Sequence, residues 1–243
     1  MNPFNIYKYL PVLLRKRFKA KYIIIESDDW GLRGSIEKKG INFLKKNYPQ
    51  KTFSRWTSDS LETIEDLDAL FYVLNKYKNE FESPPKITAN FITHNINYNN
   101  PTKLSFIPLS QLMAENKLLK KKYFEGIDNK VIHPQLHGYC HYNIDALRAF
   151  YETLEGKKLF NEGFIIGKST LKKTPSIFKS EFSDFNEEVQ NNLKTSINEF
   201  TKVFKYSPES IIPPHFIIDS LYLDLLQNYG IKAIQASNRL INF

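Results

Sequence analysis

Short apolar runs alternate with amphipathic stretches along the chain after residue 20. The β-branched run KYIIIES (21–27) predicts a first strand, and apolar residues at three- and four-residue spacing over 61–77 predict the helix that follows it. The same alternation continues to residue 236. It predicts further strands at 84–93, 129–136, 209–214 and 231–236, and further helices at 109–121, 143–155, 185–204 and 219–229.

This alternation is typical of an α/β fold with a mainly parallel sheet and helices outside it, either open or closed into a barrel. Residues 156–182 interrupt this alternation of strands and helices, and they predict a long excursion or an irregular hairpin. No linker there is polar enough to divide the chain. We therefore expect one domain, 21–243, preceded by a basic N-terminal arm, 1–20.

Charge is distributed unevenly along the 243 residues. The chain has 34 Lys and Arg against 26 Asp and Glu, a formal net charge of +8, and no acidic residue precedes Glu26. A secretory signal places basic residues before its apolar stretch, whereas RKRFKAK (15–21) follows YLPVLL (9–14) here. We therefore expect a cytoplasmic protein whose arm either lies on an acidic polymer or on the inner face of an anionic membrane, or docks on the domain through its apolar residues.

Three classes of protein are disfavoured by the composition and by the distribution of residue types along the chain. No apolar run approaches the ~20 residues of a membrane helix, and Cys140, the single cysteine, excludes an internal disulfide. The basic residues do not form a stripe interleaved with aromatic residues, so we expect no nucleic-acid partner.

A pair of aspartates follows the first predicted strand. The segment ESDDWG (26–31) places Asp28 and Asp29 at a strand end, where reactive residues gather in parallel α/β folds. Adjacent strand residues point to opposite faces, so the two carboxylates have different roles unless the strand has already ended. The alternative for an isolated pair of aspartates is a helix cap or a solvated turn.

Histidines cluster after the third predicted strand, in HPQLHGYCHYN (133–143). His137 and His141 are four residues apart, a spacing that brings two imidazoles to one side of a helical turn and is used repeatedly for divalent metals. His133 lies in the strand before Pro134 and is the weaker ligand. Together with an aspartate from a neighbouring strand end, the two histidines predict a two-His, one-Asp site with coordination positions open to water.

These motifs, in this order and spacing, resemble those of the NodB-like polysaccharide deacetylases, carbohydrate esterase family 4, and especially a bacterial branch associated with surface polysaccharides. Three segments carry the resemblance: IIIESDDWG (23–31), IHPQLHGYCH (132–141) and IIPPHFIIDSLYLDLLQNYGIKAIQA (211–236). The resemblance implies a distorted (β/α) barrel of the polysaccharide deacetylase type.

The resemblance also implies a zinc-type ion bound by Asp29, His137 and His141, with Asp28 as the general base. In such a site the metal lowers the pKa of its bound water and polarises an acetamide carbonyl, while the carboxylate takes the water proton. The expected function is removal of N-acetyl groups from a sugar of a cell-surface polysaccharide or its precursor. The expected partner is an N-acetylated oligo- or polysaccharide.

The chain departs from the family in the segment that lines the groove. The usual Arg-x-Pro-Tyr corresponds here to Ile212-Pro213-Pro214-His215, so the arginine is absent. Pro214 would line the substrate groove, and His215 would either donate a proton to the leaving amine or pack on the barrel rim. No histidine follows His215 to act as the family's general acid.

The chain stops at Phe243, soon after the strand predicted at 231–236. The barrel is therefore expected to be incomplete at its C-terminal end, with the last strand missing, supplied by a partner or lost with activity. These departures leave a second interpretation open, a catalytically silent carbohydrate-binding relative that retains the barrel, with or without the metal.

Three further residues have two interpretations each. Trp30 either stacks on a sugar ring or caps the core. Cys140 lies between the predicted ligands, where a small buried filler is favoured over a metal ligand. His94 either faces the same rim as the metal site or belongs to a polar loop, THNINYNN (93–100).

Overall fold

A computed structural model describes most of the chain. The described residues are 23–34, 60–77, 85–100, 103–163 and 179–235, together with 42, 46 and 47. The N-terminal arm predicted at 1–20 lies outside them, as does much of the excursion predicted at 156–182.

Strands and helices alternate in the described part of the chain. The strands are β1 Ile25–Trp30, β2 Ile87–Ile92, β3 His94–Ile96, β4 Phe106–Pro108, β5 Ile132–Gly138, β6 Ser210–Ile211 and β7 Ala233–Ile234. The helices are α1 Ile64–Lys76, α2 Leu109–Glu115, α3 Lys117–Asp128, α4 Ile144–Tyr151, α5 Leu154–Asn161, α6 Glu187–Phe204 and α7 Tyr222–Asn228. Two 3₁₀ turns occupy Glu181–Ser183 and Pro214–Phe216.

Five of these strands form one parallel sheet in the order β1-β2-β5-β6-β7, and β3 pairs with β4 in a separate antiparallel hairpin. Each strand of the larger sheet lies beside the next parallel strand along the chain, so the order never reverses. Since crossovers between parallel strands are right-handed, this winding places the connecting helices on one face. The predicted α/β class and parallel sheet are confirmed.

The main hydrophobic core lies between this face of the sheet and the helices. Helix α1 shows how the sequence directs such packing: a capping box between Thr63 and Asp66 starts the helix, and its core stripe is buried. The longest helix, α6, buries a similar stripe. The cluster includes Leu67, Phe71, Leu74, Ala89, Phe91, Leu136, Leu193, Phe200, Phe204, Ile211 and Leu226.

The other face of the central strands carries buried polar side chains. Asn90 on β2 and Gln135 on β5 are register partners, and both are fully buried. The amide oxygen of Gln135 accepts hydrogen bonds from the backbone N–H groups of Glu209 and Ser210, at 2.9 and 2.7 Å. This contact attaches the short strand β6 to β5.

Several predicted boundaries differ from the structure. The helix predicted at 109–121 is two helices, because Asn116 leaves helical geometry at φ −115° and ψ 66°. The helix predicted at 143–155 ends at Tyr151, and the side chain of Thr153 caps a new helix, α5. The strand predicted at 209–214 has only two residues, since the two prolines that follow have no N–H to donate.

Candidate metal centre

Three side chains of metal-binding type converge at the carboxyl ends of the parallel strands. Asp29 Oδ1 lies 3.1 Å from His137 Nε2 and 3.2 Å from His141 Nε2. One ligand atom from each residue lies within 4.8 Å of the others. With bonds of about 2.0 Å, neighbouring ligand atoms of a tetrahedral zinc site are roughly 3.3 Å apart. The residues predicted as ligands thus form a group that could hold one metal ion.

Asp29 reaches this group through a bulge in β1. The register between β1 and β2 shifts, so that Asn90 alone stands opposite both Asp28 and Asp29. Asp29 has a left-handed φ of 63°, and Gly31, at φ 71°, continues the turn out of the strand. The strand therefore extends through the aspartate pair instead of ending before it. The bulge gives the neighbours different surroundings: Asp28 is exposed, whereas Asp29 is partly buried.

His137 is the extra residue of a second bulge, in β5. Where β2 advances by one residue, from Phe91 to Ile92, the paired strand β5 advances by two residues. The His137 Nδ1 atom lies 2.8 Å from the carbonyl oxygen of Ile212. A carbonyl can only accept, so we assign the ring proton to Nδ1, which leaves the lone pair of Nε2 directed toward Asp29.

His141 lies in the loop between β5 and α4, at a left-handed φ of 74°. The predicted helical turn joining His137 to His141 is therefore wrong. The backbone stays extended to Gly138, and the loop folds the second imidazole back toward the first, with ring centroids 5.1 Å apart. Burial lowers the pKa of His141 to about 3, so its ring is neutral near pH 7 and its lone pair is available to a metal.

The charges of the group also fit a cation. Burial opposes ionisation of Asp29, but His137, His141 and His215 together lower the pKa of this carboxyl. Burial likewise opposes protonation of His137, but the nearby Asp29 carboxylate raises the pKa of the ring. Within the described residues, Asp29 Oδ1 and His137 Nε2 are buried without a hydrogen bond of acceptable geometry. A cation shared by these two atoms would compensate for their burial.

The two residues predicted to transfer protons flank the group. His215 follows β6 in the 3₁₀ turn, and its ring centroid lies 5.1 Å from that of His141. The charge of exposed Asp28 contributes to the raised pKa of His137. Pro214, predicted to line the groove, is buried directly before His215. The structure thus brings Asp28 and His215 to the same centre.

Other predicted residues lie elsewhere. Trp30 is 7% exposed and packs against Phe91 and Tyr123, so it belongs to the core, and its predicted sugar contact is corrected.

His94 is buried and stacks on a tyrosine, with a ring distance of 4.1 Å, without joining the ligand group. His133 stacks on another tyrosine, at a ring distance of 6.0 Å, also outside that group. Cys140 is a buried, free thiol in a second hydrophobic cluster, which confirms its role as a filler.

One residue beside the centre has no signal in the sequence pattern. Glu181 is 2% exposed, and its carboxylate accepts hydrogen bonds from the backbone N–H groups of Tyr139 and Cys140. It lies in the stretch predicted only as an irregular excursion. The nearest clue is Gly138: a Cβ atom there would collide with Glu181 Oε1.

Comparison with known proteins adds no functional assignment. No family model matches the chain, and no curated protein matches it. Among solved structures, a 4-alpha-glucanotransferase from Thermococcus litoralis aligns with 88% of this chain, with a TM-score of 0.42 and 11% sequence identity. The alignment covers 22% of that enzyme, so the chain spans about a fifth of its length. Within the described ranges, no helix has both the length and the apolar character needed to cross a bilayer.

Proposed function

We propose that this protein is a metal-dependent hydrolase that removes N-acetyl groups from a sugar of a cell-surface polysaccharide or its precursor. The convergence of Asp29, His137 and His141, with Asp28 and His215 beside them, is the observation that carries the proposal. An exposed carboxylate and an imidazole next to a two-His, one-Asp group are the parts that metal-assisted amide hydrolysis requires.

The proposal includes the distorted (β/α) barrel of the polysaccharide deacetylases. Its support is the strand order, which runs in one direction as in a barrel, whereas a doubly wound sheet reverses its order at a switch point. The candidate residues also lie at or just after the carboxyl ends of β1, β5 and β6, the edge at which barrel enzymes carry their active sites.

Zinc is the metal that the donor set favours. Two imidazole nitrogens and one carboxylate oxygen match catalytic zinc sites that keep a position open. When bound, the ion would lower the pKa of a water molecule and polarise the acetamide carbonyl. Asp29 Oδ1, His137 Nε2 and His141 Nε2 would hold it, and Ile212 would keep the ring of His137 in the required tautomer.

The protein side chains would move the protons. Asp28 takes a proton from the attacking water, whose oxygen adds to the carbonyl carbon. His215 gives a proton to the leaving nitrogen as the carbon–nitrogen bond breaks. The products are a free amine on the sugar and acetate, so that one water molecule is consumed for each acetyl group removed.

The test is acetate release from N-acetylglucosamine oligosaccharides by zinc-loaded protein. We expect Asp28→Asn to lower the rate by about 10²–10⁴-fold, the usual contribution of a general base, with zinc stoichiometry unchanged. Asp29→Ala should lose both zinc and activity. Asp145→Asn, which changes an exposed aspartate on α4, is the matched control and should change neither.

The competing interpretation is a catalytically silent carbohydrate-binding protein. The buried Ile212, which is 4% exposed, occupies the position of the family's arginine, and the absence of that arginine favours the silent interpretation. If the wild-type protein binds zinc and an N-acetylated oligosaccharide but releases no acetate, the silent interpretation is correct and the hydrolase proposal is wrong.

A further inference from the structure

Glu181 is a buried carboxylate that contacts the loop between the two candidate histidine ligands. Its Oε1 atom accepts the backbone N–H of Tyr139 at 2.8 Å, and its Oε2 atom accepts that of Cys140 at 3.2 Å. These are the two residues that precede His141. Because both carboxylate oxygens are used, one side chain fixes two successive peptide groups of this loop.

The opposite side of the same loop is held by Thr93, which lies between β2 and β3, and by His94, the first residue of β3. The carbonyl oxygen of Gly138 accepts hydrogen bonds from the backbone N–H and the hydroxyl of Thr93, at 3.2 and 3.0 Å. The carbonyl oxygen of Tyr139 accepts the N–H of His94 at 2.7 Å. The carbonyl groups of Gly138 and Tyr139 are thus satisfied by Thr93 and His94, and the N–H groups of Tyr139 and Cys140 by Glu181.

The loop that is held in this way leads directly into a residue with a strained backbone conformation. His141 has a φ of 74°, in the left-handed region that costs a side-chain-bearing residue roughly 1–2 kcal/mol. Such a conformation persists only where its surroundings determine it. Glu181 also fits closely against Gly138, since any Cβ atom at that glycine would collide with its carboxylate. An acidic side chain is expensive to bury, and here its hydrogen bonds go to the segment that presents a ligand.

We infer that Glu181 is a positioning residue, which holds the 139–141 loop so that His141 faces Asp29 and His137, and thereby sets the affinity and geometry of metal binding. The inference rests on the metal site of the proposed function. Glu181 acts through the loop backbone and contacts no reacting atom.

Two measurements on Glu181→Gln test the inference. The amide keeps one acceptor oxygen but directs its NH₂ group at a backbone N–H, so the loop loses one of its two anchors. We expect zinc to bind about 10–100-fold more weakly, the usual effect of losing a residue that orients a ligand, as measured by competition with a chromophoric chelator. With Co²⁺ in place of zinc, the visible absorption bands should change because they report the ligand geometry.

Glu199→Gln provides a matched control. Glu199 is also a buried glutamate, and it accepts the backbone N–H of Ser110 at 2.6 Å, at the start of α2. Its substitution should lower the free energy of unfolding but leave the zinc affinity and the Co²⁺ spectrum unchanged. If Glu181→Gln behaves in the same way, Glu181 is merely structural and the inference is wrong.

A milder variant covers the case in which Glu181→Gln does not fold. Glu181→Asp keeps a carboxyl group with both oxygens but withdraws them by one methylene group, so zinc affinity should fall several-fold, and an unchanged affinity overturns the inference. Wild-type protein that binds neither zinc nor Co²⁺ overturns both this inference and the proposed function. Wild-type protein that binds zinc but releases no acetate contradicts only the hydrolase proposal.

Discussion

Strained backbone is concentrated in the residues around the candidate metal centre. Asp29, His141 and His215 have φ values of 63°, 74° and 57°, and they make up half of the six non-glycine residues with positive φ in the described part of the chain. Each such residue costs roughly 1–3 kcal/mol, which the surrounding contacts must offset. Residue types and spacing in the sequence identified these side chains, but the bulges and left-handed turns that present them depend on neighbouring strands and could not be predicted.

The variant His141→Asn separates the backbone strain of this residue from its role as a metal ligand. Asparagine tolerates the left-handed conformation, so the metal-free variant should keep its fold. Loss of one of three protein ligands should exceed the roughly 10–100-fold effect of losing a residue that only orients a ligand, so zinc should bind at least about 100-fold more weakly, as measured by chelator competition. His133→Asn, on the same segment but outside the ligand group, should bind zinc as the wild type does. Equal affinity in the two variants would exclude His141 as a ligand.

His94 should make stability depend on pH. Burial lowers the pKa of His94 from 6.5 to about 4, although the charge of Glu199 acts in the opposite direction. In acid the unfolded chain therefore binds a proton that the folded protein does not, so the stability present above pH 6.5 is lost as the pH falls toward about 4. Between pH 7 and pH 5 this one residue should cost about 2 kcal/mol.

Urea unfolding of wild-type protein and His94→Gln at the two pH values measures this contribution. The amide does not titrate, so the variant should lose about 2 kcal/mol less than the wild type on acidification. Other groups, including Glu181, whose pKa burial raises to about 7, affect both proteins equally. If the free energy of unfolding falls equally in the two proteins on acidification, His94 does not titrate as described.

At the scale of elements, length decided what the sequence could predict. Helices α1 and α6 were predicted within three residues of their observed ends because each repeats its apolar stripe over several turns. The strands predicted at 209–214 and 231–236 contain β6 and β7 but extend beyond the two observed residues of each, and the β3–β4 hairpin was not predicted, because so few residues show no recognisable period. The break between α2 and α3 was missed for the same reason, since a single residue, Asn116, interrupts the pattern.

The end of α6 offers a test of backbone conformation alone. Lys205 terminates this helix at a φ of 68°, which glycine adopts without strain. We expect Lys205→Gly to raise the free energy of unfolding by about 1 kcal/mol. Lys194→Gly, at an exposed position inside the same helix, should lower it by about 1 kcal/mol. Chemical denaturation measures both, and effects of the same sign would contradict the assignment of Lys205 as a left-handed cap.

At the scale of the whole molecule, the strand order gathers distant parts of the sequence at one edge. Asp29 and His137 belong to β1 and β5, which β2 separates in the sheet. A bound ion would therefore link strands that are far apart in the chain, and it would bind the folded protein in preference to the unfolded one. The sequence predicted this gathering correctly because parallel strands end on a common edge.

Zinc should therefore stabilise the whole protein. At a free zinc concentration 100 times the Kd, mass action adds about 2.7 kcal/mol to the free energy of unfolding. For a chain of this size the Tm should rise by roughly 5–10 °C. Differential scanning calorimetry measures the shift, and Asp29→Ala should show none. A similar shift in the variant would place the bound metal elsewhere.

The bulge in β1 has a consequence for single-codon deletions. Because Asp28 and Asp29 together occupy the place of one residue opposite Asn90, removing Asp28 would let β1 pair with β2 in continuous register. The strand and Trp30 in the core could then remain in place while the remaining aspartate adopts ordinary strand geometry. An in-frame deletion here would separate foldability from metal binding, whereas a one-residue deletion inside α6 would rotate half of its apolar stripe by about 100° away from the core.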